Sequence, residues 1–301
     1  MNSSPIFLYT SWRTGGTALA AALKSDENLM LFYDPLNQGL MNFEYTRAAS
    51  SESWNSNHPS GFNYFDEYLP LFIDGRLENF PDLSEYKFRS SSVTFKNQLL
   101  AYLNGLVATA IVKGKSPVFK FEQLEGHLEL LKEHFPSAIH ICLIRDKQGQ
   151  FDSWLEQLAL GNVGFFDAAR KLIFDDPDFF MNDSTLENPT NEEVFELYHS
   201  KLLLLSSKYD LTLNIYEDDR DEFLSKSTSD FFQQTFSSAF RRLDELEKPP
   251  SIEKKFIRMT ARALELTQQR DELTQQREEI VNSTIWKLTN PLRKAIDLFK
   301  K

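Results

Sequence analysis

Ser11-Trp12-Arg13-Thr14-Gly15-Gly16-Thr17 combines three hydroxyls, a guanidinium and two adjacent glycines in seven residues. An apolar run, Ile6 to Tyr9, precedes it, and the Ala- and Leu-rich stretch Thr17 to Leu23 follows. That is strand, tight loop and helix, the setting in which backbone N–H groups and the helix dipole converge on an anion. The glycines let the backbone approach closely; Arg13 adds a fixed positive charge, and the hydroxyls of Thr14 and Thr17 can donate to the anion's oxygens. The Gly-x-x-x-x-Gly-Lys-Ser/Thr order is absent and no lysine precedes Thr17, so kinase or ATPase chemistry loses its main support. A second anion-binding pair lies far along the chain. Ile139 to Ile144 ends in Arg145-Asp146-Lys147, and Ser153 follows Arg145 by eight positions. With residues from Phe151 onward helical, an arginine at a strand end and a serine a short way into the next helix grip one phosphate. Each residue alone reads equally as a solvated arginine and a helix-surface serine.

Together these motifs resemble the PAPS-dependent sulfotransferases, enzymes that use 3′-phosphoadenosine 5′-phosphosulfate. The shared pattern is an aromatic or proline, a basic residue, Ser/Thr, Gly, a small residue and Thr after the first strand, then Arg-Asp and a serine eight residues on. The resemblance runs roughly from Pro5 to Phe236. It implies that Trp12, Arg13, Thr14, Gly15, Gly16, Thr17 and Ala18 surround the 5′-phosphosulfate, and that Arg145 and Ser153 hold the 3′-phosphate. Ile215-Tyr216-Glu217-Asp218 resembles a further strand-end motif, with Asp219 where leucine is usual. Two further positions depart from the pattern: Lys147 replaces a common proline, and Gly16 replaces a Ser or Thr, removing one hydroxyl from the sulfate cradle.

Sulfuryl transfer requires a base for the acceptor hydroxyl and cations for the leaving phosphate. Arg13 is the expected catalytic cation. Asp34, in Tyr33-Asp34-Pro35, stands where carbohydrate and tyrosyl sulfotransferases carry an acidic residue; Glu122, in Lys120-Phe121-Glu122, stands where small-molecule sulfotransferases carry a histidine. Either is a candidate base. Asp34 before Pro35 equally suits a turn cap, and Glu122 equally suits a pair with Lys120 or a cap on the following helix. The five histidines show no ligand spacing, and no metal is expected.

The elements that must position these groups are strands alternating with helices. Phe95 to Val112 is apolar at helical spacing, Gly114 to Pro117 breaks it, Val118 to Phe121 reads as a strand, Leu124 to Phe135 as a helix, and Ile139 to Ile144 as a second buried strand. This predicts an α/β, P-loop-like three-layer fold with a central, mostly parallel sheet flanked by helices. Gly39 to Arg89 and Gly161 to Pro189 resist the alternation and are expected as irregular lids or acceptor walls. Many of the 26 phenylalanines lie in polar surroundings, and with Asn37 they suit a sugar acceptor. The sulfotransferase domain is expected over 1–248 and a helical tail over 249–301. In the tail, Leu266 to Glu272 recurs almost unchanged as Leu273 to Glu279, a possible coiled coil, and Trp286 to Lys301 carries five basic residues against Asp297.

A net charge of −11 disfavours nucleic acid, and a single cysteine, Cys142, excludes an intrachain disulfide and suits a reducing compartment. Without a visible secretion signal or spanning segment, the expected location is cytoplasmic, with peripheral contact at the inner membrane face through the tail. Asn282 to Arg293 resembles a terminal element of bacterial enzymes that build surface polysaccharides, which implies self-association or docking to such proteins through residues 251–301. A non-catalytic scaffold retaining the nucleotide fold is the alternative reading.

Overall fold

The computed structural model describes residues 4–51, 63–86, 91–122, 127–159, 164–176, 189–216, 220–227, 229–245 and 274. The chain divides into two compact units, 1–155 with 163–248, and 156–162 with 249–301. All the described strands belong to the first unit. Apart from residue 274, the expected coiled-coil and basic tail lies outside the described residues.

Five strands, β1 (Ile6–Thr10), β2 (Leu29–Tyr33), β5 (Ser116–Phe121), β6 (Ile139–Leu143) and β7 (Leu211–Leu213), form one sheet in the order β2-β5-β1-β6-β7. Every pairing in it is parallel. A two-stranded antiparallel ribbon, β3 (Phe72–Ile73) and β4 (Arg76–Leu77), stands apart. The helices are α1 (Gly16–Lys24), α2 (Phe43–Ser51), α3 (Val93–Val112), α4 (Leu128–His134), α5 (Lys147–Ala159), α6 (Gly164–Asp175), α7 (Asn191–Ser206), α8 (Arg220–Ser225) and α9 (Asp230–Glu245). The sheet is therefore an α/β core with helices on its flanks, as strand–helix alternation dictates.

Two helices and the small ribbon correct the expected irregular stretches. α2 and the small ribbon fall within 39–89, and α6 falls within 161–189, where Phe166, Ala169, Leu172 and Ile173 are buried at helical spacing. Their polar neighbours hide a 3.6-residue period.

Strands buried on both faces must be apolar along their whole length, and β1, β2 and β5 are buried at every position. On one face Phe32, Phe119, Phe7 and His140 stack across four adjacent strands, with successive ring centroids 5.2, 5.0 and 5.0 Å apart. Each such pair adds about 0.5–1.5 kcal/mol beyond simple burial. On the other face the register sets Lys120 between Tyr33 of β2 and Leu8 of β1. A lysine thus occupies a row that burial reserves for apolar side chains. Among the described residues no helix is long and apolar enough to cross a membrane.

Candidate functional site

In an open parallel sheet ligands bind beyond the carboxyl ends of the strands, where the order reverses around the central strand. Here β1 is central, and all five strands deliver a predicted residue to that edge: the Ser11 loop after β1, Asp34 after β2, Glu122 after β5, Arg145 after β6 and Tyr216 after β7. Arg13 and Asp34 both hold left-handed backbone angles, φ 68° and 43°, costly for residues with a Cβ and frequent where a site over-determines the backbone.

The loop after β1 is built from its surroundings. Gly15 has φ 89°, and a Cβ there would fall 2.3 Å from Ile215 Cδ1. At Gly16 a Cβ would fall 2.6 Å from Thr10 Cγ2, so a side chain of β1 already fills the space that the Ser or Thr of the resembled pattern would need. Gly15 makes no side-chain cap to α1, which leaves the helix's first N–H groups directed at the site. Trp12 is buried, stacked on Tyr198 with centroids 5.2 Å apart and edge-on to Trp154; its carbonyl accepts from Gln150 Nε2 at 2.8 Å and from Trp154 Nε1 at 3.2 Å. It anchors the loop in the aromatic core. Thr14, expected to face an anion, is buried and donates its hydroxyl to the Ser11 carbonyl at 2.8 Å. Thr17 and Ala18 lie in the first turn of α1, with Thr17 Oγ1 2.9 Å from the Tyr33 hydroxyl.

The second motif meets the first. Arg13 Nε donates to Ser153 Oγ at 2.8 Å, and Arg145 Nη1 donates to the Arg13 carbonyl at 3.1 Å. The Arg145 guanidinium lies 4.3 Å from the centroid of the Tyr216 ring, and its buried Nε has no hydrogen-bond partner among the described residues. Asp146 is occupied as the N-terminal cap of α5, accepting from Gly149 N at 2.6 Å, and its carboxylate comes only within 4.0 Å of Arg145. Two residues 132 positions apart in sequence thus share one corner. Glu217 and Asp218 of the third motif lie outside the described residues.

Both candidate bases are placed together, but in different roles. Asn37 Nδ2 donates to Asp34 Oδ2 at 2.9 Å while Asn37 Oδ1 accepts from Gly39 N at 2.8 Å, so Asn37, expected to meet a sugar, holds the carboxylate instead. Burial, reinforced by the charge of Glu122, pushes the Asp34 carboxyl up to about 6 against the pull of Lys120 and Asn37. Glu122 forms an ion pair with Lys120, which is 1% exposed, while Glu122 itself is 29% exposed. The Lys120 ammonium also lies 4.4 Å from the centroid of the Tyr33 ring and 3.3 Å from its hydroxyl. Burial would lower the Lys120 pKa, but Glu122, Tyr33 and Asp34 together hold it above its ordinary value. Sequence reasoning treated Lys120 as a landmark beside Glu122 and missed both it and Tyr33. The signal was a lysine inside a short strand between Phe119 and Phe121, in a sheet covered on both faces.

Among the described residues no group of His, Cys, Asp and Glu could hold a metal ion. No family model matches the chain, and no curated protein matches it.

Proposed function

We propose that the protein is a PAPS-dependent sulfotransferase with a P-loop-like fold, acting on a hydroxyl of a carbohydrate. The observation that carries this reading is the meeting, at one sheet edge, of a cation-bearing loop opening a helix, an Arg–Ser pair from a distant strand and helix, and a carboxyl poised near neutrality. Arg13 and the N-terminus of α1 suit the 5′-phosphosulfate, and Arg145 with Ser153 suits the 3′-phosphate. The acceptor hydroxyl gives its proton to Asp34 as its oxygen bonds to sulfur. The bond from sulfur to the 5′-phosphate oxygen breaks, the electron pair leaves on that oxygen, and Arg13 and the helix N-terminus stabilise the resulting charge. A base with a pKa near 6 is ionised at neutral pH yet still basic enough to accept the proton. The carbohydrate assignment follows from the residue resemblance and the Phe-rich polar segments of the sequence.

Calorimetric titration with 3′-phosphoadenosine 5′-phosphate, the product nucleotide, tests the donor site. Micromolar binding is expected, weakened at least tenfold in Arg145→Ala/Ser153→Ala, since hydrogen bonds to charged groups contribute about 1.5–3 kcal/mol each. ATP should not compete. Binding of neither nucleotide would overturn the donor assignment and leave the scaffold reading in its place.

A further inference from the structure

Tyr33 joins the two halves of the site through a single hydroxyl, and the donor inventory fixes the direction of that connection. An ammonium only donates, so the Tyr33 oxygen accepts from Lys120 Nζ at 3.3 Å. The Tyr33 proton is then available to the Thr17 oxygen, 2.9 Å away. Thr17, with its oxygen so engaged, has its own proton left to donate. Thr17 stands in the first turn of α1, which the proposed function assigns to the phosphosulfate.

We propose that Tyr33 is a positioning residue that fixes Thr17 as a donor to the sulfonate oxygens of PAPS. This rests on the function proposed above and adds to it a way of distinguishing sulfonated from unsulfonated nucleotide. Lys120 to Tyr33 to Thr17 forms a one-way chain of donors, and a charge at its head polarises each link toward its end. The chain is rigid: Lys120 is buried and tied to Glu122, and the Tyr33 ring is held edge-on to Tyr64 at 4.8 Å and beneath the Lys120 ammonium. Burial and the surrounding carboxylates push the Tyr33 phenol up to about 12 despite Lys120 and Thr17, so it keeps its proton throughout the working pH range. The lysine's charge is thereby felt at the sulfonate while the lysine stays in the sheet. Glu122 serves as its counter-ion, leaving Asp34 as the base.

Tyr33→Phe removes the hydroxyl and keeps the ring, its packing and its cation–π contact. Dissociation constants for PAPS and for 3′-phosphoadenosine 5′-phosphate are measured by calorimetry with the full-length protein, Tyr33→Phe, Thr17→Val and the double variant. In Tyr33→Phe, PAPS affinity is expected to fall by roughly tenfold while the bisphosphate, which has no sulfonate, binds as before. Thr17→Val should give the same selective loss, and the double variant no more than either alone, because both remove one chain. Equal losses for both nucleotides, an unchanged PAPS affinity in Tyr33→Phe, or additive losses in the double variant would each overturn the relay. Failure of the unmodified protein to bind either nucleotide would remove the proposed function, and this inference with it.

Discussion

The two sides of the site handle charge in opposite ways. Toward β2 and β5, Lys120 is buried against Glu122 and the Tyr33 ring, and Asp34 is held by Asn37. Toward β6 and β7, Arg13 bonds a serine hydroxyl, while Arg145 bonds a backbone carbonyl and lies over a phenol ring. A buried ion pair loses heavily if one partner goes, whereas a single hydrogen bond from a guanidinium to a neutral oxygen can be exchanged for one to an anion. The first side is therefore built to keep its geometry, and the second holds contacts that the anion of the proposed function would replace.

The sharpest way to break this comparison is Asp34→Asn. Loss of the proposed base should lower turnover by about 10²–10⁴. Stability should move the other way. A carboxyl whose folded pKa is raised from 3.8 to about 6 binds its proton more tightly when folded, so its contribution is present below pH 3.8 and is lost as pH rises through about 6. Over that shift the loss is about 3 kcal/mol. Urea denaturation should show the variant more stable than the unmodified protein at about pH 8 and level with it at about pH 4; equal curves at the higher pH would mean that Asp34 is not a tuned base.

Glu122→Gln probes the kept geometry. It strands Lys120 in the sheet without its ion-pair partner, and unfolding should become easier by about 3–5 kcal/mol, with much of the loss recovered in Glu122→Gln/Lys120→Met. A drop in turnover with unchanged stability would instead make Glu122 a participant in proton transfer. The smallest effect is expected at Gly16, the junction of the two sides. Gly16→Ser supplies the hydroxyl of the resembled pattern but drives a Cβ into Thr10, at a cost of about 1–3 kcal/mol on thermal or chemical unfolding. A stable Gly16→Ser protein would show that the loop yields there.

What the sequence disclosed was local. The loop after β1 and the Arg145–Ser153 pair are strand ends passing into helices, and a run of apolar residues followed by glycine or a polar break marks them without knowledge of the fold. Lys120 and Tyr33 were illegible for a different reason. Their meeting depends on β2 pairing with β5, between segments 87 positions apart at these two residues, which no periodicity encodes. Pro117 misled in a smaller way. It reads as the end of a break, yet β5 includes it opposite Met30, because pairing of β5 with β1 begins only at Val118 and no hydrogen bond to β1 is lost there. The helix at Gly164–Asp175 was hidden by composition, since Phe and Asp count toward irregular structure until their burial is known.

The position of β1 also governs how the chain comes off the ribosome. Its five residues precede both partner strands in the chain and are almost wholly enclosed in the finished sheet, between partners that end at Phe121 and Leu143. At about 5–20 residues per second, the nascent strand waits on the order of ten seconds for both neighbours to be made. During that interval an apolar segment with open edges is a target for holding chaperones and for neighbouring chains on the same message. Yield in the cell should therefore respond to translation speed and chaperone supply more strongly than the stability of the finished protein would suggest.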